Sequence, residues 1–446
     1  MNNSVIHKLI AAAAAGALCM SLLSFSATAE ETKQTSEVMQ LGDVTAYLVE
    51  APDFDSDGEE EDPCSGAFRV TESLGGSGDA LLEQCRGIEW GYSYLSEFPE
   101  PAIAKNIYSE LYKFSVALWN NPNDITGDTA YYTDLDDQIW KEKKVLAIVK
   151  PTVSVTASRD MSKMISKVYY LFRHDHPEFY YCGMSILSYT NGQIAIALED
   201  NGYLKGTKRA EYQYAVKNYL KNSATLTHND YTRTDYQNSL ELYKLVMNGM
   251  SYARVDGQSS EEPFAHNILG GIIEKSGVCE SYSKIYSLLL NYHGIDNVYV
   301  AGEAKNEAHA WNLIKLDDGL FYYADPTWDD TGSNNGNYNT YFAKCTATFR
   351  KDHIPYDPSM KLGTFLYELP EIGPSDFDPN GNYRSTNHRL IDFDKSGSIS
   401  NRDIKTLQQL IVQSDYYISY FDINNDHKVN NRDLKELQRL ITGIKS

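Results

Sequence analysis

Three residues in one stretch of this chain could run acyl-transfer chemistry: Cys279, His309 and Asp325. A thiol becomes a strong nucleophile when a base takes its proton, and the base works best when a third group holds its ring. Gly277-Val278 interrupts the preceding pattern. Cys279, Tyr282, Tyr286, Leu289 and His293 then follow 3-4-3-4 spacing, which predicts one helix face ending at a Gly294 cap. Cys279 falls in the first turn on the inward side, where the helix dipole and unpaired N–H groups favour thiolate.

Two strands are expected next, over residues 308–316 and 320–325, flanking Asp317-Asp318-Gly319. A two-residue Asp-Gly turn would place His309 and Asp325 on opposite faces. A three-residue loop with Gly319 in the left-handed region pairs Leu316 with Leu320, and Trp311 with Asp325. His309 is then diagonal to Asp325 on the same face, within side-chain reach. We take the three-residue loop. It supplies a base, an orienting carboxylate and a nearby thiol.

VCESY, HAWN and DPTWDD resemble the three motifs of the transglutaminase-like superfamily, and a looser likeness runs over roughly residues 100–370. The resemblance implies an α+β, papain-like core in which a helix bearing the cysteine packs on an antiparallel sheet. It makes Cys279 the nucleophile, His309 the general base and acid, and Asp325 the orienter. Singly, each has a plainer reading: a buried cysteine, a core histidine, a strand-end aspartate. A zinc site from Cys, His and Asp is a further alternative, without a close Cys or His pair to support it. Tyr252 is not assigned as a second oxyanion donor.

The elements that must position these residues fill the middle of the chain. Ile103, Ile107, Leu111, Phe114 and Leu118 predict one helix, and Met161, Ile165, Val168 and Phe172 another. HPEFYY at 176–181 resembles a motif preceding the core in bacterial relatives. Thr190-Asn191-Gly192 signals a hairpin. Residues 207–220 and 235–251 read as helices. Leu240, Tyr243, Met247 and Met250 on the second form a core stripe. His266-Asn267 could line the cleft or be ordinary surface residues. Asp329, Asp330 and the loop to Asn339 could border a substrate cleft. TYF at 340–342 and DHIPY at 352–356 resemble the end of the same domain, with His353 read as structural.

Net charge is −21, and removal of residues 1–29, whose one formal charge is Lys8, leaves −22. Such acidity disfavours nucleic acid as a partner. Lys8, the apolar run from Leu9 to Phe25 and Ala27-Thr28-Ala29 read as a cleaved secretory signal, and no other segment is apolar enough to span a bilayer. A secreted, extracellular protein with no membrane partner is expected. Without Cys19, five cysteines remain: Cys64, Cys85, Cys182, Cys279 and Cys345. Cys64 and Cys85 enclose twenty residues. A disulfide there would be worth about 3 kcal/mol, and two thiols are the alternative. Asp53 opens a calcium-like loop, but positions eight and twelve are Glu60 and Cys64, so this acidic run reads as linker.

The last sixty residues contain a repeat: SISNRDIKTLQQLI at 398–411 and KVNNRDLKELQRLI at 428–441. Each follows an acidic loop. The first offers Asp392, Asp394, Ser396, the Ser398 carbonyl and Asp403 at positions 1, 3, 5, 7 and 12; the second offers Asp422, Asn424, Asp426, the Lys428 carbonyl and Asp433. Oxygen ligands at this spacing fit calcium, with Ile399 and Val429 at the apolar eighth position. Asp stands for the usual closing Glu, and His427 for the turn glycine. The segment resembles a type I dockerin, a calcium-dependent all-α module that plugs enzymes into cohesins of a cellulosome scaffold. That resemblance implies two structural calcium ions and cohesin contacts at Asn401, Arg402, Asn431 and Arg432.

The expected organisation is a signal peptide (1–29), an acidic linker region (30–99), a catalytic domain (100–370), a linker (371–385) and a dockerin (386–446). The expected function is a secreted, scaffold-anchored cysteine enzyme acting on amide bonds of a protein or peptide through a thioester, with no catalytic cofactor. Water as acceptor gives a peptidase or amidase, slightly favoured by secretion; an amine gives a transglutaminase. A non-catalytic module on the scaffold is the alternative. Polysaccharide cleavage has only the dockerin context, without a carboxylate pair.

Overall fold

The computed structural model describes residues 38–41, 44–48, 79–120, 122, 145–149, 151–155, 158–190, 194–200, 207–227, 233–305, 307–331, 340–355, 369–381, 400–413, 423 and 430–444. The signal peptide, Cys64 and most calcium-loop residues lie outside this set.

The cysteine helix, Cys279–Tyr292, is buried along its whole length rather than on one face. The 3-4-3-4 stripe therefore understates it. Ser281, Ser283 and Ser287 are small enough to let neighbours close in, while Ile285 and Leu288 to Leu290 fill the core. Burying each such aliphatic side chain is worth about 1.5–3 kcal/mol. Gly294 ends the helix as expected: its N–H donates to Asn291 O, and the Ile295 N–H to Leu290 O.

The helix packs on a five-stranded antiparallel sheet of spatial order Phe342–Lys344, Phe321–Ala324, Glu307–Lys315, Asn297–Ala304, His353–Pro355. This helix against an antiparallel sheet is the α+β arrangement that the sequence resemblance led one to expect. Asn312 of HAWN fastens the two layers, its Nδ2 donating to Ser283 O at 3.0 Å and Ser287 Oγ at 2.8 Å. Gly302 sits opposite both His309 and Pro355. A Cβ there would overlap the Trp311 ring and the Ile354 carbonyl.

Helices Pro101–Asn120, Arg159–Asp175, Thr207–Thr227 and Asp235–Gly249 form where hydrophobic spacing predicts them, the last two with shifted ends. The last is closed by a Thr234–Gln237 capping box. A second antiparallel sheet joins Val38–Leu41, Val44–Leu48, Cys182–Thr190, Ile194–Asp200 and Val145–Val149. Residues 191–193 of the predicted hairpin lie outside the described set.

One reading is corrected. Residues 30–99 are not a linker throughout. Residues 44–48 pair with Cys182–Thr190. Leu82, Cys85, Trp90, Tyr92, Leu95 and Phe98 join the main core. The acidic composition of residues 50–62 masked these short apolar clusters on either side.

Candidate active site

The three residues singled out by the sequence sit at three different elements of this architecture. Cys279 heads its helix; the N-cap, Val278, offers no side-chain hydrogen bond, and its backbone carbonyl accepts the Ser281 and Tyr282 N–H groups, so the Cys279 and Glu280 N–H groups are the ones at the helix mouth. His309 lies on the strand Glu307–Lys315, and Asp325 follows the strand Phe321–Ala324.

The turn between those strands has three residues. Leu316 N–H donates to Leu320 O, Gly319 N–H donates to Leu316 O, and Gly319 has φ +86°. Lys315 faces Phe321 and Asn312 faces Ala324. Continuing that register places His309 diagonal to Asp325. Asp317 fastens the turn, its carboxylate accepting the Asp235 and Tyr236 N–H groups at 2.8 and 2.9 Å.

His309 Nε2 is 2.7 Å from Asp325 Oδ2. Both side chains are buried. Asp325 is fixed from several directions. Its Oδ1 caps the short helix Pro326–Thr331, accepting the Thr327 and Trp328 N–H groups at 2.9 and 3.2 Å, with Pro326 at the first helical position. Its backbone carbonyl accepts the Tyr243 hydroxyl. The D-P-T-W motif thus turns one carboxylate oxygen to the helix and the other to the imidazole. Burial alone would push this carboxyl up, but charge attraction and hydrogen bonds from His309, then His353, hold it well below the usual carboxylate range.

With Nε2 directed to Asp325, His309 has Nδ1 for the thiol side. Cys279 packs with Tyr299 and with Ala310, the next residue after His309. Cys279 makes no hydrogen bond among the described residues, so the structure brings His309 and Asp325 into direct contact but not thiol and imidazole. Catalytic hydrogen bonds are often long before substrate arrives.

Behind Cys279 lies a buried ionic cluster. Glu280 accepts from His266 Nδ1 at 2.7 Å and from Lys284 Nζ at 3.2 Å. Burial alone would raise the Glu280 carboxyl, but Lys284 and His266 hold it well below the usual range. His266 is therefore not an ordinary surface residue; it braces the helix start. Asn267 is buried as well, its Oδ1 accepting the Leu269 N–H.

Asp329 is corrected from cleft border to buried brace: its Oδ2 accepts from the Tyr243 hydroxyl and the Tyr341 N–H. Burial pushes this carboxyl up to about 7. Asp330 is half-buried and accepts the Tyr282 hydroxyl. Trp328 is the rim residue, between the His309 ring and the Lys305 ammonium, which lies 4.4 Å from its ring centre.

Sequence reasoning underrated His353. Its Nε2 is 3.0 Å from Asp325 Oδ2, the same oxygen that His309 engages, and its Nδ1 is 2.8 Å from Asp352 Oδ1. The signal available was a histidine next to an aspartate in DHIPY; only the fold shows which carboxylate it meets. His309, Asp325 and His353 bring three possible ligand atoms within 4.8 Å of one another. In this structure those atoms are joined by hydrogen bonds.

The repeat forms two helices, Asn401–Gln413 and Asn431–Ile444. Leu407, Leu437 and Ile441 are buried, as is Ile423 from the second loop. Asn401, Arg402, Asn431 and Arg432 are exposed at the helix starts. Asp403 and Asp433 are fully buried, and each accepts a backbone N–H from three residues earlier, Ser400 at 2.6 Å and Asn430 at 2.7 Å. Asp392, Asp394, Ser396, Ser398, Asp422, Asn424, Asp426 and Lys428 lie outside the described residues. A donor set made of oxygen atoms, closed by a buried carboxylate in each half, fits a hard divalent cation.

Residues 225–326 match the model of the transglutaminase-like superfamily, and residues 390–442 match that of the type I dockerin domain. The chain carries a transglutaminase-like domain followed by a type I dockerin. Type I dockerins bind calcium and dock on cohesins of extracellular cellulosomes. Among the described residues no helix is long and apolar enough to cross a membrane. Curated proteins gave no match. Two solved structures are similar. One is a TGase, at 13% identity and TM-score 0.23, covering 31% of this chain and 43% of that one. The other, from Cytophaga hutchinsonii and named as a candidate cysteine protease, is at 17% identity and TM-score 0.21, covering 32% and 52%. The chain thus spans about half the length of these two structures.

Proposed function

We propose that this chain is a secreted cysteine enzyme, carried on a cellulosome scaffold, that cleaves or exchanges amide bonds in a protein or peptide. The observation that carries the reading is the 2.7 Å contact between His309 Nε2 and Asp325 Oδ2, next to a cysteine at a helix start. The carboxylate selects the His309 tautomer that leaves Nδ1 for Cys279.

In this scheme the Cys279 thiolate attacks the amide carbonyl, and negative charge gathers on oxygen near the first-turn N–H groups of the cysteine helix. Imidazolium His309 gives its proton to the departing amine, and a thioester remains. His309 then takes a proton from the acceptor, which attacks and restores the thiol. Asp325 holds the ring and stabilises its charged form. Water as acceptor makes the protein a peptidase or amidase, the favoured direction; an amine makes it a transglutaminase. These steps use the chain's own side chains and backbone N–H groups.

The catalytic unit is assigned to residues 100–370, extended N-terminally by the core helices from Ala80, with residues 1–29 as signal and 386–446 as dockerin. Two calcium ions are assigned to the loops that begin at Asp392 and Asp422.

The test is a peptide library incubated with the protein, with and without added primary amine, beside Cys279→Ala. Cleaved or amine-tagged peptides that vanish in the variant support the reading. Equal product from both proteins would rule out Cys279 as the nucleophile, and none from either at any pH between 5 and 9 favours a non-catalytic module.

A further inference from the structure

We propose that His353 is a positioning residue that holds Asp325 and, by sharing it, limits how strongly that carboxylate stabilises protonated His309. The proposal rests on the cysteine-enzyme reading of Cys279, His309 and Asp325.

The geometry is specific. Asp325 Oδ2 is 2.7 Å from His309 Nε2 and 3.0 Å from His353 Nε2, so two imidazoles meet one oxygen atom. His353 is fully buried, wedged among the rings of Trp328, Phe349, Tyr341 and Trp311 at centroid distances of 4.3, 4.2, 5.1 and 5.3 Å. This packing leaves the ring one orientation. Its other nitrogen, Nδ1, meets Asp352 Oδ1 at 2.8 Å. An ionised carboxylate only accepts, so with both partners ionised each nitrogen of His353 donates. The result is a chain: His309, Asp325, His353, Asp352.

The groups facing His353 are Asp325, Asp352, His309 and Tyr341, whose hydroxyl donates to Asp352 Oδ2 at 2.8 Å. Asp329 and Tyr243 lie behind Asp325. Lys305 lies across Trp328, and its backbone N–H donates to the Asp352 carbonyl.

An orienting carboxylate devoted to one imidazole stabilises the imidazolium and makes it a reluctant acid. Here the charge of Asp325 is divided. His309 is held in place, yet gives up its proton to a leaving amine more readily than it would with Asp325 to itself. Asp352, only partly buried, anchors the far end and fixes the His353 tautomer.

The test uses the full chain, with His309 titrated by long-range proton–nitrogen NMR of its ring. Three variants are compared with the parent: His353→Gln, Asp352→Asn and Tyr341→Phe. Gln keeps a donor but carries no charge. The expected result is an upward move of the His309 midpoint by about one pH unit in His353→Gln, smaller but of the same sign in Asp352→Asn, and none in Tyr341→Phe. Alkylation of Cys279 by iodoacetamide should follow, with its alkaline limb displaced upward by the same amount. A His309 midpoint unmoved in both charge variants, or moved downward, overturns the proposal even if every variant is folded and slow. Because neither measurement needs turnover, a displaced midpoint in a protein that cleaves nothing would defeat the enzyme reading and leave the role of His353 standing.

Discussion

The Nε2 atom of His309 and the Oδ2 atom of Asp325 lie 2.7 Å apart across a hairpin closed by Asp317-Asp318-Gly319. The turn length sets this contact. Side chains alternate along each strand, so a turn shorter by one residue would carry one of the pair to the far face. Asp325→Asn keeps the helix cap through its side-chain oxygen but removes the charge that selects the His309 tautomer. Turnover of the best library peptide should fall by about a thousandfold, with thermal stability reduced only slightly. A loss under tenfold would show that Asp325 is a cap and not an orienter.

Cys279 should be the most reactive thiol of the chain. It heads a helix and neighbours the His309 strand, whereas burial pushes the Cys182 thiol up to about 11. Mass spectrometry after brief iodoacetamide exposure at pH 6 should find the label on Cys279, with Cys182 and Cys345 unmodified. Equal labelling of all three would sink the nucleophile assignment.

The turn itself offers a separation of stability from chemistry. Asp317 accepts two N–H groups at the start of the helix Asp235–Gly249. Asp317→Ala should cost about 1–2 kcal/mol in urea unfolding and leave kcat within twofold. Deleting Asp318 should instead abolish turnover, because the pairing register shifts by one. Unchanged activity in the deletion would mean that a bulge restores the phase.

How much of this was legible in the sequence depends on the range of the interaction. Three motifs, a turn glycine and strand parity were enough to anticipate the His309–Asp325 face, because each step is local. The helix pattern around Ile107 and Ile165 was local too. The burial of the cysteine helix on every side was not legible, since serines and tyrosines read as polar until tertiary neighbours satisfy them. His353 and Glu280 needed the fold: their partners lie 28 and 14 residues away. The contribution of residues 80–98 to the core was hidden by the acidic stretch before them.

Asp329 predicts a pH dependence of stability. Its carboxyl sits at about 7 in the folded protein because of burial, against about 4 when unfolded. A raised folded value favours the protonated form. The contribution is fully present below about pH 4 and is lost as pH rises through 7. Its Oδ1 has no partner while Oδ2 is held by Tyr243 and Tyr341. Asn at this position keeps the acceptor and never ionises. The unfolding free energy of Asp329→Asn relative to the parent should therefore improve between pH 5 and pH 8, by about 2 kcal/mol. A difference that stays flat across that range would show that Asp329 is ionised and solvated.

The dockerin predicts a metal-dependent attachment. Its two helices bury few apolar side chains, Leu407, Leu437 and Ile441 among them, and small modules of this kind need a further source of stability. Each loop brings several carboxylates together, and their repulsion opposes folding until a divalent cation neutralises it. Asp403 and Asp433 add a local link: each also accepts the N–H that precedes its helix, so the closing ligand orders the helix start as well. Calcium at a hundred times its Kd would stabilise the module by about 2.7 kcal/mol per site. In the full chain, EDTA should abolish cohesin pull-down and lower helical ellipticity, and calcium should restore both, while peptide turnover by the catalytic domain is unaffected. The exposed pairs Asn401-Arg402 and Asn431-Arg432 occupy matching places, so replacing one pair with alanines should weaken binding by a few fold, and replacing both should abolish it. Binding that survives EDTA would refute calcium dependence. Binding lost on replacing Asn401-Arg402 alone would refute only the idea that the module docks in two orientations related by a half-turn.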